Sequence, residues 1–216
     1  MTPLYFLLGL TVAISAYAWS NPQLMESWIL DPYRMNREGG QWYRLLTSGF
    51  LHADWGHLIF NMITLYSFGG IALRYFGEAF GDTPGLLAFL ALYLGGIILS
   101  DLPTYFRHRQ DPGYRSLGAS GGVSSVLFAG ILFYPVAPKD QGIYLFLIPI
   151  PIQPFLFGFL YLLYSQYMSR RKIDNINHDA HFYGALYGIL LTASLVPLTV
   201  PLFFQKVAAY VTHFIG

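Results

Sequence analysis

Four side chains in this sequence could together hydrolyse an amide bond: a serine, two histidines and an asparagine. Ser120 lies within the glycine-rich stretch GASGG, and His181 follows Ala180 much later in the chain. His57 and Asn61 have i, i+4 spacing, which places them on one face of a helix, one turn apart. Serine attacks a carbonyl only when a base removes its proton, and the resulting oxyanion needs hydrogen-bond donors. These residue types therefore predict a site for acyl transfer.

The composition indicates that membrane helices must position these residues. Charged residues make up 11% and hydrophobic residues 55% of the 216 residues, whereas soluble domains average about 25% charged residues. The formal net charge of +1 argues against a nucleic-acid partner, because such proteins carry a clustered basic face. The absence of cysteine excludes disulfide scaffolds, cysteine zinc sites and cysteine nucleophiles.

Six stretches are apolar enough to predict transmembrane helices, since a bilayer core of about 30 Å needs roughly 20 helical residues. The predicted fold is all-α: a polytopic membrane protein with a six-helix transmembrane bundle, forming a single domain over residues 1–216. The predicted spans are Pro3–Trp19, Gly56–Phe76, Pro84–Leu99, Ala119–Tyr134, Ile152–Tyr167 and Ala180–Leu198.

Three other segments have patterns of their own. Ser20–Trp55 mixes tryptophans with charges, which is typical of a segment lying in the membrane interface. The stretch IPIPIQ before span five carries Pro149 and Pro151, so we expect it to be extended rather than helical. The tail from Pro201 is expected to form an interfacial helix.

The polar residues fall where alternate spans begin. If six helices alternate in direction, then spans two, four and six start at one face of the membrane. The side chains of His57, Asn61, Ser120 and His181 would then converge at one depth, with His52 near the opening. Small residues repeat every four positions in spans four and six, which predicts that these two spans touch. The repeats are Gly121, Ser125 and Ala129, and Ala180, Gly184 and Gly188.

Other interpretations are weaker. Any one of these residues alone would more often be a packing or interhelical bonding residue, and only their convergence favours catalysis. GASGG also fits the α/β-hydrolase elbow, but no strand pattern precedes it. A metal site built from His52, His57, His178 and His181 lacks an HExxH pattern, so no metal or other cofactor is expected. His108 and His213 are expected to be solvated, and His178 to lie in a loop.

Together these residues resemble the rhomboid family of intramembrane serine proteases. The matching pieces are HADWGHLIFN from His52 to Asn61, GASG from Gly118 to Gly121, AHFYG from Ala180 to Gly184, and WYR from Trp42 to Arg44. The resemblance covers the chain from about Trp42 to Gly188. It implies a six-helix protease that cleaves membrane-anchored proteins in or near their transmembrane segment.

The resemblance also implies residue roles and a location. Ser120 corresponds to the nucleophile and His181 to the general base. His57, Asn61 and the backbone N–H of Ser120 correspond to the oxyanion site, with His52, Gly118 and Gly121 supporting it. The implied partners are transmembrane protein substrates and the lipid bilayer. The implied location is the inner membrane of a prokaryotic cell, with the active site facing outward. The alternative is an inactive relative that binds membrane clients.

The chain departs from the family pattern at four positions. Ser125 and Phe128 replace glycines that are common in span four, and Leu73 replaces a frequent glutamate at the end of span two. The position four residues after the nucleophile is aromatic in some members and stacks on the base, but here it is Ser124.

Two further expectations concern the acid and the orientation. Asp179 is the acid nearest to His181 in sequence, but i, i+2 residues do not share a helix face. We therefore expect a Ser–His dyad without a catalytic carboxylate. Nine of the 12 basic residues fall on the side of the predicted active site, so the positive-inside rule opposes the outward-facing site that the resemblance implies.

Overall fold

The computed structural model of the chain describes residues 2–138, 142–145, 148–171 and 176–215 as a bundle of helices. A 3-10 turn spans Ser48–Phe50, and a hairpin pairs β1 (Ile143–Leu145) with β2 (Ile148–Ile152). The helices are α1 (Thr2–Trp19), α2 (Pro22–Trp28), α3 (Pro32–Glu38), α4 (Arg44–Thr47), α5 (Trp55–Phe80), α6 (Asp82–His108), α7 (Ser120–Phe133), α8 (Pro154–Arg171), α9 (His178–Leu195) and α10 (Thr199–Ile215).

Every predicted span coincides with a helix, namely α1, α5, α6, α7, α8 and α9 in order. The predicted end of span three at Leu99 is wrong, because α6 continues to His108 through Pro103. Ser100 and Asp101 follow Leu99 and are buried inside the bundle rather than exposed at a helix end. Their polar side chains have hydrogen-bond partners inside the bundle, so the helix continues past Leu99.

By length and apolar composition, fewer helices qualify as membrane spans than the number of spans predicted from the sequence. Among the described residues, α5 and α6 are each long and apolar enough to cross a membrane alone. The number rises to four if the bent pairs α1–α2 and α9–α10, with angles of 119° and 110°, each count as one span. α7 has only 14 residues, about 21 Å at 1.5 Å per residue. Nearly all of α7 is buried by other helices, so it need not match the lipid thickness. The count of six spans stays a prediction.

The segment between α1 and α5 starts with α2, which bends away from α1 by 119°. Asn21 and Asp31 cap the helices α2 and α3, each followed by proline at the first helical position, a favoured way to begin a helix. Trp42 and Trp55 are exposed, and the interfacial position of this segment stays a prediction. Arg44 is only 2% exposed, and its guanidinium donates to the carbonyl oxygens of Glu26 and Ile29.

A short hairpin lies beside the helices of the predicted all-α bundle. β1 and β2 pair antiparallel immediately before α8. Pro149 and Pro151 lie in β2, so the expected extended conformation of IPIPIQ is confirmed. The tail forms α10, which bends away from α9 by 110°. Leu202 and Phe204 of α10 are exposed, whereas Phe203 packs against the bundle.

The contacts of glycines show which helices run in the same direction. Gly184 and Gly188 of α9 meet the backbone of Gly121 and Ser125 of α7, in that order. The two helices are therefore parallel, and the predicted contact between spans four and six is confirmed. In the same way, His57 lies near Gly118 at the start of α7 and Phe68 lies near Gly130 further along. The helices α5, α7 and α9 consequently begin at one end of the bundle, as the alternation of spans predicted.

We expect Gly188→Ala to destabilise the protein, because an added Cβ would lie 2.7 Å from the Cα of Ser125. Overpacking of this kind typically costs about 1–3 kcal/mol. Gly77→Ala is the matched control, since it is also a helical glycine and its Cβ would have no neighbour within 4 Å. Unfolding followed in detergent micelles would measure both, and equal stability of the two variants would contradict the close α7–α9 contact.

Candidate active site

Ser120 is the first residue of α7 and is half-buried. The chain reaches it through Gly118, whose φ of +125° lies in the region that side chains disfavour. The N–H of Gly118 donates to the carbonyl oxygen of Ser48 at 3.0 Å. A Cβ on Gly118 would lie 2.7 Å from Cε1 of His57. Glycine at 118 therefore both permits the turn and lets the His57 ring approach the residues just before Ser120.

His57 and Asn61 occupy the first two turns of α5. The Asp54 carboxylate caps this helix by accepting the N–H of His57 at 2.8 Å. Asn61 is buried, and its amide Nδ2 donates to the carbonyl oxygen of His57 at 2.9 Å. An amide has two N–H donors, so this bond orients the side chain without using both of them. Because the His57 ring lies against Gly118, this face of α5 lies next to the start of α7.

His52 connects α1 to the turn before Ser120. Its ring is fully buried, with Nδ1 2.9 Å from the Ser15 hydroxyl oxygen and Nε2 3.5 Å from the N–H of Ala119. The Ser15 hydroxyl donates its hydrogen to the Phe50 carbonyl oxygen at 2.8 Å. Ser15 must then accept from His52, so Nδ1 carries the proton and Nε2 faces the Ala119 N–H. Burial lowers the pKa of His52 to about 3, which keeps the ring neutral in this role.

His181 lies in the first turn of α9, whose start is fixed by Asn177. The side-chain oxygen of Asn177 accepts the N–H of Ala180 at 3.1 Å, a favourable helix cap. Gly184 is three residues after His181, so both lie on one face of α9. Because Gly184 meets the backbone of Gly121, the turn that carries His181 lies beside the turn that begins with Ser120. Like Ser120, His181 is half-buried.

The nearest acid in sequence is engaged elsewhere. The Asp179 carboxylate pairs with the Arg107 guanidinium of α6 and accepts a hydrogen bond from the Ser169 hydroxyl of α8. These bonds tie the start of α9 to two neighbouring helices. They also occupy the carboxylate. The dyad without a catalytic carboxylate stays a prediction.

A buried polar network behind these helix starts was missed by the sequence analysis. Asp101 of α6 accepts from the Asn177 amide at 3.2 Å and from the Ser48 hydroxyl at 3.5 Å. The same amide donates to the Ser116 hydroxyl at 3.3 Å, and Thr104 donates to the Asn177 oxygen at 3.2 Å. The network joins α6 to the cap of α9 and to the loop that leads into α7. It thus fixes the starts of the helices that carry Ser120 and His181.

Two expectations about other histidines are wrong. His108 is buried rather than solvated, because its ring stacks on Tyr114 with centroids 3.6 Å apart. His178 is the first residue of α9 and is buried, not a loop residue. His213 is exposed, as expected. In the part of the chain that the structure describes, no three histidine or acidic side chains come together as metal ligands.

Apolar helices whose polar residues meet at one end of the bundle define a multi-pass membrane protein. Comparison with known proteins identifies its family. The rhomboid domain model matches residues 39–198, which is well over half of the chain. The chain therefore belongs to the rhomboid family, as the sequence motifs predicted.

The chain is similar to curated relatives of several kinds. It is 31% identical over 176 residues to the RHOMBOID-like protein 12, mitochondrial, of Arabidopsis thaliana, covering 74% of this chain and 48% of that protein. It is 28% identical over 166 residues to the protein YdcA of Bacillus subtilis, covering 74% of this chain and 70% of YdcA. It is 30% identical over 161 residues to the rhomboid protease GluP of Bacillus subtilis, covering 72% of this chain but only 26% of GluP.

Proposed function

We propose that this protein is an intramembrane serine protease that uses a Ser120–His181 dyad. The observation that carries the proposal is the backbone contact between Gly121 and Gly184, because it brings the starts of the helices with these two residues side by side. Membership of a family that includes a named rhomboid protease supports the same activity. We propose further that the chain acts as a single domain.

The chemistry would proceed in two halves. His181 removes the proton from the Ser120 hydroxyl as its oxygen bonds to the carbonyl carbon of the scissile peptide. The negative oxygen of the tetrahedral intermediate accepts hydrogen bonds from Asn61, His57 and the backbone N–H of Ser120. His181 then gives its proton to the leaving nitrogen, and the peptide bond breaks to leave an acyl ester on Ser120. Water, deprotonated by His181, hydrolyses this ester and restores the serine.

The location of the site agrees with the proposed substrates, which are membrane-anchored proteins. Ser120 and His181 are half-buried at the starts of helices, where water can arrive from one aqueous side. A helical peptide bond is shielded by its own hydrogen bonds, so the substrate must unwind locally. We therefore expect small or helix-breaking residues around the cleaved bond.

Labelling with a fluorophosphonate probe in detergent, followed by peptide mapping, tests the proposal directly. We expect the label on Ser120 in the wild-type protein and no label in Ser120→Ala. The competing function is that of an inactive relative that binds membrane clients. A folded wild-type protein that is neither labelled nor active on transmembrane substrates would favour that function instead.

We also propose that the active site faces outward from a prokaryotic inner membrane. The positive-inside rule counts basic residues that are free to meet the cytoplasmic leaflet, and several on the active-site side have internal partners. Arg34 pairs with Glu26 at 3.2 Å and Arg115 with the same carboxylate at 2.7 Å. Arg107 pairs with Asp179, and Arg44 is buried. These three ion pairs and the burial of Arg44 weaken the charge argument against an outward-facing site.

Single-cysteine labelling can decide the orientation, because the chain has no native cysteine. Gln110 follows α6 at the active-site end, and Thr83 is the second residue of the same helix at the other end. Both residues are exposed. We expect Gln110→Cys, but not Thr83→Cys, to react with an impermeant maleimide added to intact cells. Reaction of both after the cells are opened is the control. The reverse pattern in intact cells would place the active site in the cytoplasm.

A further inference from the structure

The helix that begins with Ser120 holds a tyrosine from another helix. Ser124 lies one turn after Ser120 on α7, and its hydroxyl oxygen is 2.6 Å from the hydroxyl oxygen of Tyr161 in α8. Phe128 lies one turn further along α7, and its ring centroid is 5.7 Å from that of Tyr161. Two successive turns of α7 therefore fix the tyrosine, one by a hydrogen bond and the other by ring packing.

The fixed tyrosine ring faces His181. The two ring centroids are 6.0 Å apart and the ring planes differ by 17°, which is an offset stacked arrangement within the usual range for aromatic pairs. Tyr161 therefore lies between α7, which carries Ser120, and α9, which carries His181. Its hydroxyl end is bonded to the helix of one residue, and its ring packs on the side chain of the other.

Tyr161 makes this contact from a helix at the edge of the bundle. α8 exposes several large apolar side chains, including Phe159 and Leu163, which are 59% and 53% exposed. α8 approaches α7 closely at Gly158, where an added Cβ would be 3.4 Å from the Phe128 ring. One turn of α8 therefore docks on α7, and Tyr161 in that turn extends inward to His181.

We propose that Tyr161 is a positioning residue for the general base His181, and that Ser124 holds Tyr161 in place. This inference rests on the proposed protease function. An imidazole rotates about two side-chain bonds, and proton transfer requires it to be held close to one orientation. A ring anchored at its far end by a hydroxyl bond restricts that rotation. The positioning group comes from α8, so the orientation of the base depends on a third helix besides α7 and α9.

The test compares variants that remove the ring, its hydroxyl or the anchor. We expect Tyr161→Leu to lower kcat for a reconstituted transmembrane substrate about tenfold, the upper end for loss of an aromatic contact, while KM changes little. Tyr161→Phe and Ser124→Ala each remove one side of the same hydrogen bond. We expect each to lower kcat about threefold, and the double variant to be no worse than either single variant.

One measurement and one control variant distinguish a positioning role of Tyr161 from a role in the stability of the protein. The rate at which a fluorophosphonate labels Ser120 should fall in parallel with kcat, since labelling needs the base but no peptide substrate. Tyr167→Leu is the matched control, because Tyr167 is an exposed tyrosine of α8 whose ring packs on Arg171 instead. This control should keep the wild-type kcat and labelling rate.

The outcomes are distinct. A wild-type kcat per folded molecule in Tyr161→Leu would overturn the inference, as would a loss that only follows the amount of folded protein. Independent, multiplying losses in Tyr161→Phe and Ser124→Ala would show that Ser124 does not act through Tyr161. If the wild-type protein itself shows neither cleavage nor labelling, then the proposed protease function fails, and this inference with it.

Discussion

Purified Ser120→Ala protein is expected to show no detectable cleavage of a transmembrane substrate, and His181→Ala is expected to be equally inactive. The first change removes the proposed nucleophile, and the second removes the proposed base that takes its proton. Ser120 is half-buried at the start of α7, and the loss of one hydroxyl leaves the packing of that helix intact. Thermal unfolding in detergent should therefore stay close to wild type for Ser120→Ala.

The double variant tests whether the two residues act as one unit. Residues of one catalytic unit are strongly non-additive, so Ser120→Ala/His181→Ala should be no less active than either single variant. Ser67→Ala and His213→Ala are matched controls, because both side chains are exposed, and they should remain fully active. If the single variants instead keep measurable cleavage and these residual activities multiply in the double variant, Ser120 and His181 do not form a dyad.

The helices and their order were predictable because hydropathy is a local property. Each of the six predicted spans contains enough consecutive apolar residues to form a helix, and each corresponds to one in the structure. The common direction of α5, α7 and α9 was also predictable, since alternation fixes it once the spans are counted. The small residues of α7 and α9 predicted their contact for the same reason, because their spacing is visible in the sequence.

The partners of buried polar groups were not predictable, because they lie far apart in sequence. Asp101 bonds to Asn177, and no local pattern around either residue indicates the other. Ser100 and Asp101 are polar in the sequence but buried in the bundle, and the predicted end of span three at Leu99 falls short of the end of α6 at His108. The prediction that His108 is solvated is wrong for the same reason, because its stacking on Tyr114 depends on the fold of the following loop.

The sequence shows which residues depart from the family pattern, but it does not show which structural feature accompanies each departure. Ser124 and Phe128 differ from common family residues, and both contact Tyr161. The position of Tyr161 on α8 and the facing positions on α7 thus form one local arrangement. Ser125 has a different role, because its hydroxyl donates to the Leu92 carbonyl oxygen of α6 at 2.7 Å. A single sequence shows that these positions differ, but only the packing shows which of them belong together.

The oxyanion residues are expected to show a graded loss. Removing one oxyanion donor typically lowers turnover by about 10²–10³, so Asn61→Ala should be strongly impaired yet measurable, because His57 and the Ser120 N–H remain. His57→Ala should be at least as severe. The His57 ring lies against Gly118 and near the His52 ring, at 4.9 Å between centroids. Its loss would remove a donor and also loosen the turn that precedes Ser120.

Turnover of a reconstituted substrate, compared with the rate of fluorophosphonate labelling, measures these effects. Asn61→Asp is an informative partner to Asn61→Ala, because it keeps the size of the side chain but replaces the N–H donor with an acceptor that would repel an oxyanion. If Asn61 acts as a donor, the aspartate variant must be no better than the alanine variant, although it fits the site better. Full activity in both Asn61→Ala and His57→Ala would instead mean that the oxyanion is stabilised by other groups, since two lost donors cannot leave the barrier unchanged.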